Sequence, residues 1–113
     1  MFLVTAMIQP NKFEDVKKAL FEAEITKMTV SSVKGCGQQM GYEETFRGVA
    51  QEINLLTKIR LDIAVTEPYV DKTIDAIVKA AHTDTIGDGK IFVTELKECV
   101  RIRTGERGEK AVG

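Results

Sequence analysis

The sequence contains few of the residues that usually build covalent cross-links or metal sites. Two cysteines and one histidine occur among 113 residues. Cys36 and Cys99 are too few for a disulfide framework, and no cysteine has zinc-ligand spacing relative to His82. These absences exclude a disulfide-rich scaffold and a common structural zinc site, and they indicate a reducing compartment.

The sequence also lacks an excess of charge of either sign. Its 16 basic and 17 acidic residues nearly cancel, so any binding site for an anion must be local. Five phenylalanines and two tyrosines, without tryptophan, supply no paired strand aromatics for stacking RNA bases. This composition argues against an RNA-binding platform, and we expect no nucleic-acid partner.

Long apolar runs are missing as well. Gln9, Asn11 and Lys12 interrupt the apolar residues near the amino terminus, and no stretch has membrane-spanning length. The amino-terminal residues do not show the pattern of a signal peptide. The expected location is the cytoplasm.

What the sequence does contain is regular hydrophobic patterning. A hydrophobic content of 43% in 113 residues predicts one compact domain, residues 1–113, with its own core. Apolar residues that alternate or recur at helical spacing predict the order β-α-β-loop-β-α-β. The predicted strands are 2–8, 28–33, 58–65 and 91–96, with a first helix capped by Asn11 and a second begun by Pro68.

This order is typical of the ferredoxin-like split βαβ fold, an α+β arrangement in which two helices cover one face of an antiparallel sheet. The other face is then left uncovered by helices, which favours a homo-oligomer. The segment from Cys36 to about Leu56 interrupts the pattern with three glycines, mixed charge and weak periodicity. A connection of this length is usually functional or disordered.

A glycine-flanked turn, Gly87-Asp88-Gly89-Lys90, precedes the last predicted strand. Glycines permit positive φ, so successive backbone N–H groups can converge on a phosphate while Lys90 supplies a full charge. An ordinary hairpin turn is the alternative. Arg101 and Arg103 alternate with Ile102, so on an extended chain both guanidinium groups face one side and can complete a polyphosphate site. A solvated edge strand is the alternative there.

Three longer segments connect the chain to a known family. Residues 83–93 contain Thr-x-x-x-Gly-Asp-Gly-Lys-Ile-Phe-Val, and residues 100–106 read Val-Arg-Ile-Arg-Thr-Gly-Glu. Residues 28–41 begin with Met-Thr-Val and end with Val-Lys-Gly-x-Gly-x-Gln-x-Gly. With these motifs the chain resembles the PII signal-transduction proteins over nearly its whole length.

The resemblance implies a homotrimer with a site for ATP or ADP in each cleft between subunits. The glycine turn would hold the phosphates, and the two arginines would reach them from the adjacent subunit. The residues implied for nucleotide binding are Thr29, Gly35, Gly37, Gln38, Asp62, Ala64, Gly87, Asp88, Gly89, Lys90, Arg101 and Arg103. The phosphate-binding loop spans about residues 82–90, and a carboxy-terminal loop spans about residues 97–113.

The resemblance also implies 2-oxoglutarate as an effector that binds together with MgATP. Gln39 would help coordinate Mg²⁺, and Lys58 would pair with a 2-oxoglutarate carboxylate. Gly41 and Gly87 complete the residues implied for 2-oxoglutarate. Because 2-oxoglutarate would chelate a metal already held by ATP, the binding of the two effectors is expected to be coupled.

Residues 37–55 match the family's T-loop, which contacts target proteins. Arg47 and Gly48 at its tip are the residues expected to enter a target such as an ammonium transporter or glutamine synthetase. Membrane contact would then be indirect, through a transporter. A nitrogenase-associated regulator of the same type is the alternative.

Some positions depart from the family pattern. Gln38 stands where many members have arginine, which removes one possible phosphate contact. Val49 and Gln51 stand where other members carry a modified serine or tyrosine, so we expect signalling through ligands alone. A small nucleotide-using enzyme would need a positioned base and nucleophile, and no motif supplies them. The expected function is therefore a non-catalytic sensor.

Overall fold

The computed structural model of the chain describes residues 1–36 and 55–113. Within them, four strands form one antiparallel sheet in the order β2-β3-β1-β4. The strands are β1 (Phe2–Ile8), β2 (Thr29–Gly35), β3 (Leu56–Val65) and β4 (Lys90–Glu95), and the helices are α1 (Phe13–Glu22), α2 (Val70–Ala81) and α3 (Glu109–Val112). Helix α1 joins β1 to β2, and α2 joins β3 to β4. The predicted ferredoxin-like βαββαβ fold is confirmed.

The core lies between the sheet and helices α1 and α2. On β3, Leu61, Ile63 and Val65 are buried, while the residues between them are only partly buried. This alternation, visible in the sequence, decides which face of β3 packs on the helices. Burial of each such side chain contributes about 1.5–3 kcal/mol of hydrophobic free energy. The remaining core residues are Val4, Ala6, Ile8, Val16, Leu20, Ile25, Ile77 and Ala81.

The opposite face of the sheet carries polar groups at its centre. Thr5 on β1 pairs with Asp62 on β3 and with Phe92 on β4. Thr5 is only 7% exposed, and its hydroxyl donates to Oδ1 of Asp62 at 2.8 Å. Arg60 pairs with the same carboxylate through Nε and Oδ2 at 3.0 Å. This face therefore combines an internally satisfied polar cluster with exposed apolar surface at Phe92.

Two local predictions were wrong. Asn11 does not cap α1, because Pro10 begins a short 3₁₀ helix (Pro10–Lys12) and Lys12 stands at the cap position with no side-chain hydrogen bond. The chain from Arg101 to Arg103 is not extended, because it folds into a turn. The Gly105 N–H donates to the Arg101 carbonyl at 2.7 Å, and the Arg101 N–H donates to the Glu106 carbonyl at 2.9 Å.

The structure also contains elements that the sequence analysis does not predict. A 3₁₀ helix, Glu67–Tyr69, contains Pro68 and precedes α2, and α3 forms near the carboxy terminus. In residues 1–36 and 55–113, no helix combines the length and apolar character needed to cross a membrane. The predicted T-loop stays a prediction, since its residues 37–54 lie outside the described part.

Candidate functional site

The glycine turn between α2 and β4 has the backbone conformation that its glycines permit. Gly87 and Gly89 have φ values of 106° and 108°, in a region that other residues rarely adopt. A Cβ atom at Gly89 would overlap the carbonyl oxygen of Met7 at the end of β1. Glycine at position 89 therefore allows the turn to approach the sheet, and Lys90 follows it as the exposed first residue of β4.

Lys58 connects β3 to this turn. Its Nζ donates to the Gly87 carbonyl at 2.9 Å in a partly buried position. Gly35 on β2 lies against the same side chain, because a Cβ at Gly35 would stand 3.7 Å from Cγ of Lys58. Lys58 and Gly87, both predicted to bind 2-oxoglutarate, are thus in direct contact with each other.

Asp88 makes its hydrogen bonds inside the loop. The Thr83 hydroxyl donates to one carboxylate oxygen, and the Thr83 N–H donates to the other at 2.6 Å. The hydrogen bond from the Thr83 hydroxyl, followed by that from the Thr83 backbone, lowers the pKa of Asp88 below its ordinary value. Asp88 is therefore ionised at neutral pH and closes the loop that begins at Thr83.

His82 stands at the carboxy-terminal end of α2. Its N–H donates to the Val78 carbonyl at 3.0 Å, and its ring Nε2 lies 3.0 Å from Oδ1 of Asp84. Both side chains are exposed. These contacts agree with a role at the helix end. In the described parts of the chain, no group of three or more histidine, cysteine or acidic side chains could hold a metal ion.

Arg101 lies in the carboxy-terminal turn with its guanidinium already engaged. Nη1 donates to Oε1 of Glu106 at 2.7 Å, and Nη2 donates to the Lys110 carbonyl at 3.0 Å. The Arg103 side chain belongs to the same turn and is exposed. The turn thus presents one guanidinium held by an acidic neighbour and a second one facing solvent.

Thr29, Asp62 and Ala64, which the resemblance implies for nucleotide binding, lie on the face of β2 and β3 opposite α1 and α2. Thr29 is the pairing partner of Asp62, whose carboxylate is held by Thr5 and Arg60. Ala64 lines a cavity of about 270 Å³ together with residues of the 24–27 segment and of α3. Lys27 Nζ donates to the Gly113 carbonyl at 2.6 Å across this cavity's rim.

The predicted site residues thus fall into two groups. The glycine-turn group comprises Gly35, Lys58, Gly87, Asp88, Gly89 and Lys90, and the carboxy-terminal group comprises Thr29, Asp62, Ala64, Arg101 and Arg103. Lys58 and Ala64 are separated along β3 by about 20 Å, given a rise of about 3.3 Å per residue. Lys90 begins β4, whereas the carboxy-terminal turn follows its other end at Glu95. One chain therefore does not bring the two groups together.

Other predicted positions cannot be placed in either group. Gly37, Gln38, Gln39, Gly41, Arg47 and Gly48 lie outside the described residues. Sequence reasoning missed the role of Thr83 as the hydrogen-bond partner of Asp88. The available signal was the spacing of five residues between a hydroxyl and a carboxylate across a glycine-containing loop, which is typical of many surface loops.

Known proteins are similar in sequence to this chain over nearly its whole length. Residues 1–106 match the family model described as nitrogen regulatory protein P-II. The chain is 48% identical over 112 residues to nitrogen regulatory protein GlnK of Escherichia coli (strain K12), covering 99% of this chain and 100% of that protein. It is 50% identical over 109 residues to nitrogen regulatory protein P-II 1 of Methanothermobacter thermautotrophicus, with 96% and 95% covered. Nitrogen regulatory protein P-II of Azospirillum brasilense is 45% identical over 109 residues, with 96% and 97% covered.

Proposed function

The chain belongs to the nitrogen regulatory protein P-II family, and on that premise we propose that it is a non-catalytic cytoplasmic sensor of ATP, ADP and 2-oxoglutarate. Its relatives are named as nitrogen regulators, which supports a role in nitrogen signalling. The finer proposal is that the bound ligands set its contact with a nitrogen-assimilation target.

The observation that carries this proposal is the division of the site residues between opposite ends of the sheet. Lys90 and Glu95 lie about 17 Å apart along β4, at a rise of about 3.3 Å per residue, and the carboxy-terminal turn follows Glu95. A complete site then needs the glycine-turn group of one copy and the carboxy-terminal group of another. A closed ring of copies supplies such a pair at every interface, which fits the proposed homotrimer.

The contact between Lys58 and Gly87 supports coupling between the two kinds of effector. In the proposal, 2-oxoglutarate binds Lys58 and Gly87 while phosphate binds the turn that Gly87 begins. Either ligand alters the position of a group that the other uses. Each ligand should therefore change the affinity for the other, and by linkage the two changes are equal.

The proposed Mg²⁺ is held largely by the ligands themselves. Oxygen atoms are the ligands that Mg²⁺ prefers, and the phosphates of ATP and the carboxylate of 2-oxoglutarate would supply most of them. Gln39 is the one side chain proposed to contact it. When bound, the cation would neutralise phosphate charge and offer open coordination positions to the oxygens of 2-oxoglutarate.

The target is proposed to bind the T-loop, about residues 37–55, through Arg47 and Gly48. An ammonium transporter or glutamine synthetase fits the family, with a nitrogenase-associated target as the alternative. Affinity capture with immobilised chain tests this point. We expect different proteins to be retained with MgATP plus 2-oxoglutarate than with ADP, and identical retention would contradict ligand-controlled targeting.

Calorimetry with the full chain tests ligand binding directly. ATP and ADP should each bind, and 2-oxoglutarate should bind only when MgATP is present. Lys90→Ala should weaken ATP binding, whereas Lys18→Ala, an exposed lysine on α1, serves as the matched control. Absence of nucleotide binding, or 2-oxoglutarate binding that is unaffected by omitting MgATP, would overturn the proposal.

A further inference from the structure

An acidic residue in a phosphate-binding turn presents an electrostatic problem. Asp88 lies between Gly87 and Gly89, at the position where the proposed phosphates bind. A carboxylate and a phosphate oxygen that lie close together repel each other, and they do so more strongly at a partly dry site than in bulk water. A direct contact between Asp88 and phosphate would therefore weaken nucleotide binding.

The structure shows where the carboxylate goes instead. Both of its oxygens accept hydrogen bonds from Thr83, one from the hydroxyl and one from the backbone N–H. The Thr83 hydroxyl has a single hydrogen, which it donates to Asp88. Its contact of 2.6 Å with the Thr85 hydroxyl must then be donated by Thr85. Both oxygens of the carboxylate are thus engaged by a residue of the same loop.

The remaining contacts of the turn come from other elements. Lys58 holds the Gly87 carbonyl from β3, and Gly89 abuts the Met7 carbonyl of β1. The pair Thr83–Asp88 fixes the part of the loop that neither strand reaches. Together these contacts tie the turn to β1, to β3 and to Thr83 without a ligand, which lowers the ordering cost of anion binding.

We propose that Asp88 is a positioning residue, whose carboxylate is clasped by Thr83 and shapes the Gly87–Lys90 turn for phosphate without contacting the ligand. Thr83 is the second positioning residue of the same clasp. This inference rests on the proposed nucleotide-binding function and assigns Thr83 a part in it. It also replaces direct phosphate contact by Asp88 with an indirect role.

Four variants of the full chain separate positioning from contact. Thr83→Val removes the hydroxyl, and Thr83→Ser retains it. Asp88→Asn keeps a side chain that can both accept from the Thr83 N–H and donate to its hydroxyl, whereas Asp88→Ala removes the clasp. The control is Thr94→Val, which removes an exposed hydroxyl from β4, outside the loop that contains Thr83 and Asp88.

In calorimetry, the ATP affinity of these variants should follow how many of the Thr83–Asp88 hydrogen bonds each one retains. Because charge-assisted hydrogen bonds are lost, we expect Thr83→Val and Asp88→Ala to bind ATP about tenfold or more weakly than the parent chain. Thr83→Ser should recover most of the affinity, and Asp88→Asn should bind several-fold more tightly than Asp88→Ala. Parent-like binding by Thr83→Val, or equal losses in Asp88→Asn and Asp88→Ala, would overturn the proposal.

A carboxyl NMR titration gives a readout that does not depend on ATP. The pKa of Asp88 should lie below its ordinary value in the parent and in Thr83→Ser, and should rise in Thr83→Val. If the parent fails to bind ATP while this pattern is found, the proposed function is wrong and the clasp itself stands. If ATP binds and the pKa of Asp88 is the same in Thr83→Val, the clasp is wrong and the proposed function stands.

Discussion

At one end of the sheet Lys58 holds the Gly87 carbonyl at 2.9 Å and Lys90 is exposed, whereas at the other end the Arg101 guanidinium is paired with Glu106 at 2.7 Å. The first arrangement holds one backbone carbonyl, that of Gly87, in place and leaves the Lys90 cation facing solvent. The second supplies its cation with an anion from the same turn. Phosphate should therefore bind readily at the glycine turn, but it must share or displace Glu106 at Arg101.

The two ends of the sheet also differ in backbone strain. Gly89 and Gly105 both have positive φ, at 108° and 75°, but only Gly89 lacks room for a side chain. Gly89→Ala should lower the free energy of unfolding by about 2–4 kcal/mol, because overlap with the Met7 carbonyl adds to the conformational cost. Gly105→Ala should lower it by only about 1 kcal/mol.

Urea denaturation of both variants checks this difference, with ATP affinity measured alongside it. Loss of ATP binding is expected in Gly89→Ala. Equal stability losses in the two variants would show that the approach of the turn to β1 does not constrain position 89.

Lys58→Met should weaken the binding of both 2-oxoglutarate and ATP. Loss of a charge-assisted hydrogen bond predicts roughly 10- to 100-fold weaker 2-oxoglutarate binding in the presence of MgATP. ATP binding without 2-oxoglutarate should also weaken, by a smaller factor, because the Gly87 carbonyl is released.

Lys34→Met is the matched control, since the Lys34 Nζ bonds the Thr57 hydroxyl at 3.0 Å and makes no contact with the turn. Calorimetry with each ligand separates the two effects. Unchanged ATP binding in Lys58→Met would remove the structural link between the two effectors.

Of these variants, Glu106→Gln should change ATP affinity least. It should raise the affinity, whereas the others lower it. The amide can still accept from Arg101, but the negative charge near the proposed phosphates is gone. An exposed ion pair contributes about 0.2–1 kcal/mol, so we expect ATP affinity to rise by no more than about fivefold.

Glu98→Gln is its control, because Glu98 pairs with Arg107 at 3.1 Å. Titration at two salt concentrations should show a smaller difference between Glu106→Gln and the parent chain at high salt. Weaker ATP binding in Glu106→Gln would mean that Glu106 positions Arg101 for the ligand.

The regular part of the fold was predictable because its residues repeat. Leu61, Ile63 and Val65 alternate with less apolar residues, a pattern typical of a strand with one buried face, and all three are buried. The short helix α3 has too few residues to show periodicity. Arg101 and Arg103 alternate as strand residues do, but local hydrogen bonds to Gly105 and Glu106 fold them into a turn.

The candidate site was predictable to a smaller extent. The glycines of the turn predicted a backbone with positive φ, which the structure has at Gly87 and Gly89. The hydrogen bonds Lys58–Gly87 and Thr83–Asp88 depend on how the loop lies against β3 and against itself. The sequence spacing of these residues does not determine that geometry.

The central claim is that each nucleotide site combines two chains, and mixing two defective variants tests it directly. Lys90→Ala damages the glycine-turn group, and Arg101→Met damages the carboxy-terminal group, so each variant alone should bind ATP poorly. After the two are unfolded and refolded together in equal amounts, random assembly should restore about a quarter of the sites. Light scattering and mass spectrometry establish that mixed oligomers have formed. Recovery of ATP binding to about that level is the predicted result, and mixed oligomers that bind no better than the separate variants would contradict the account.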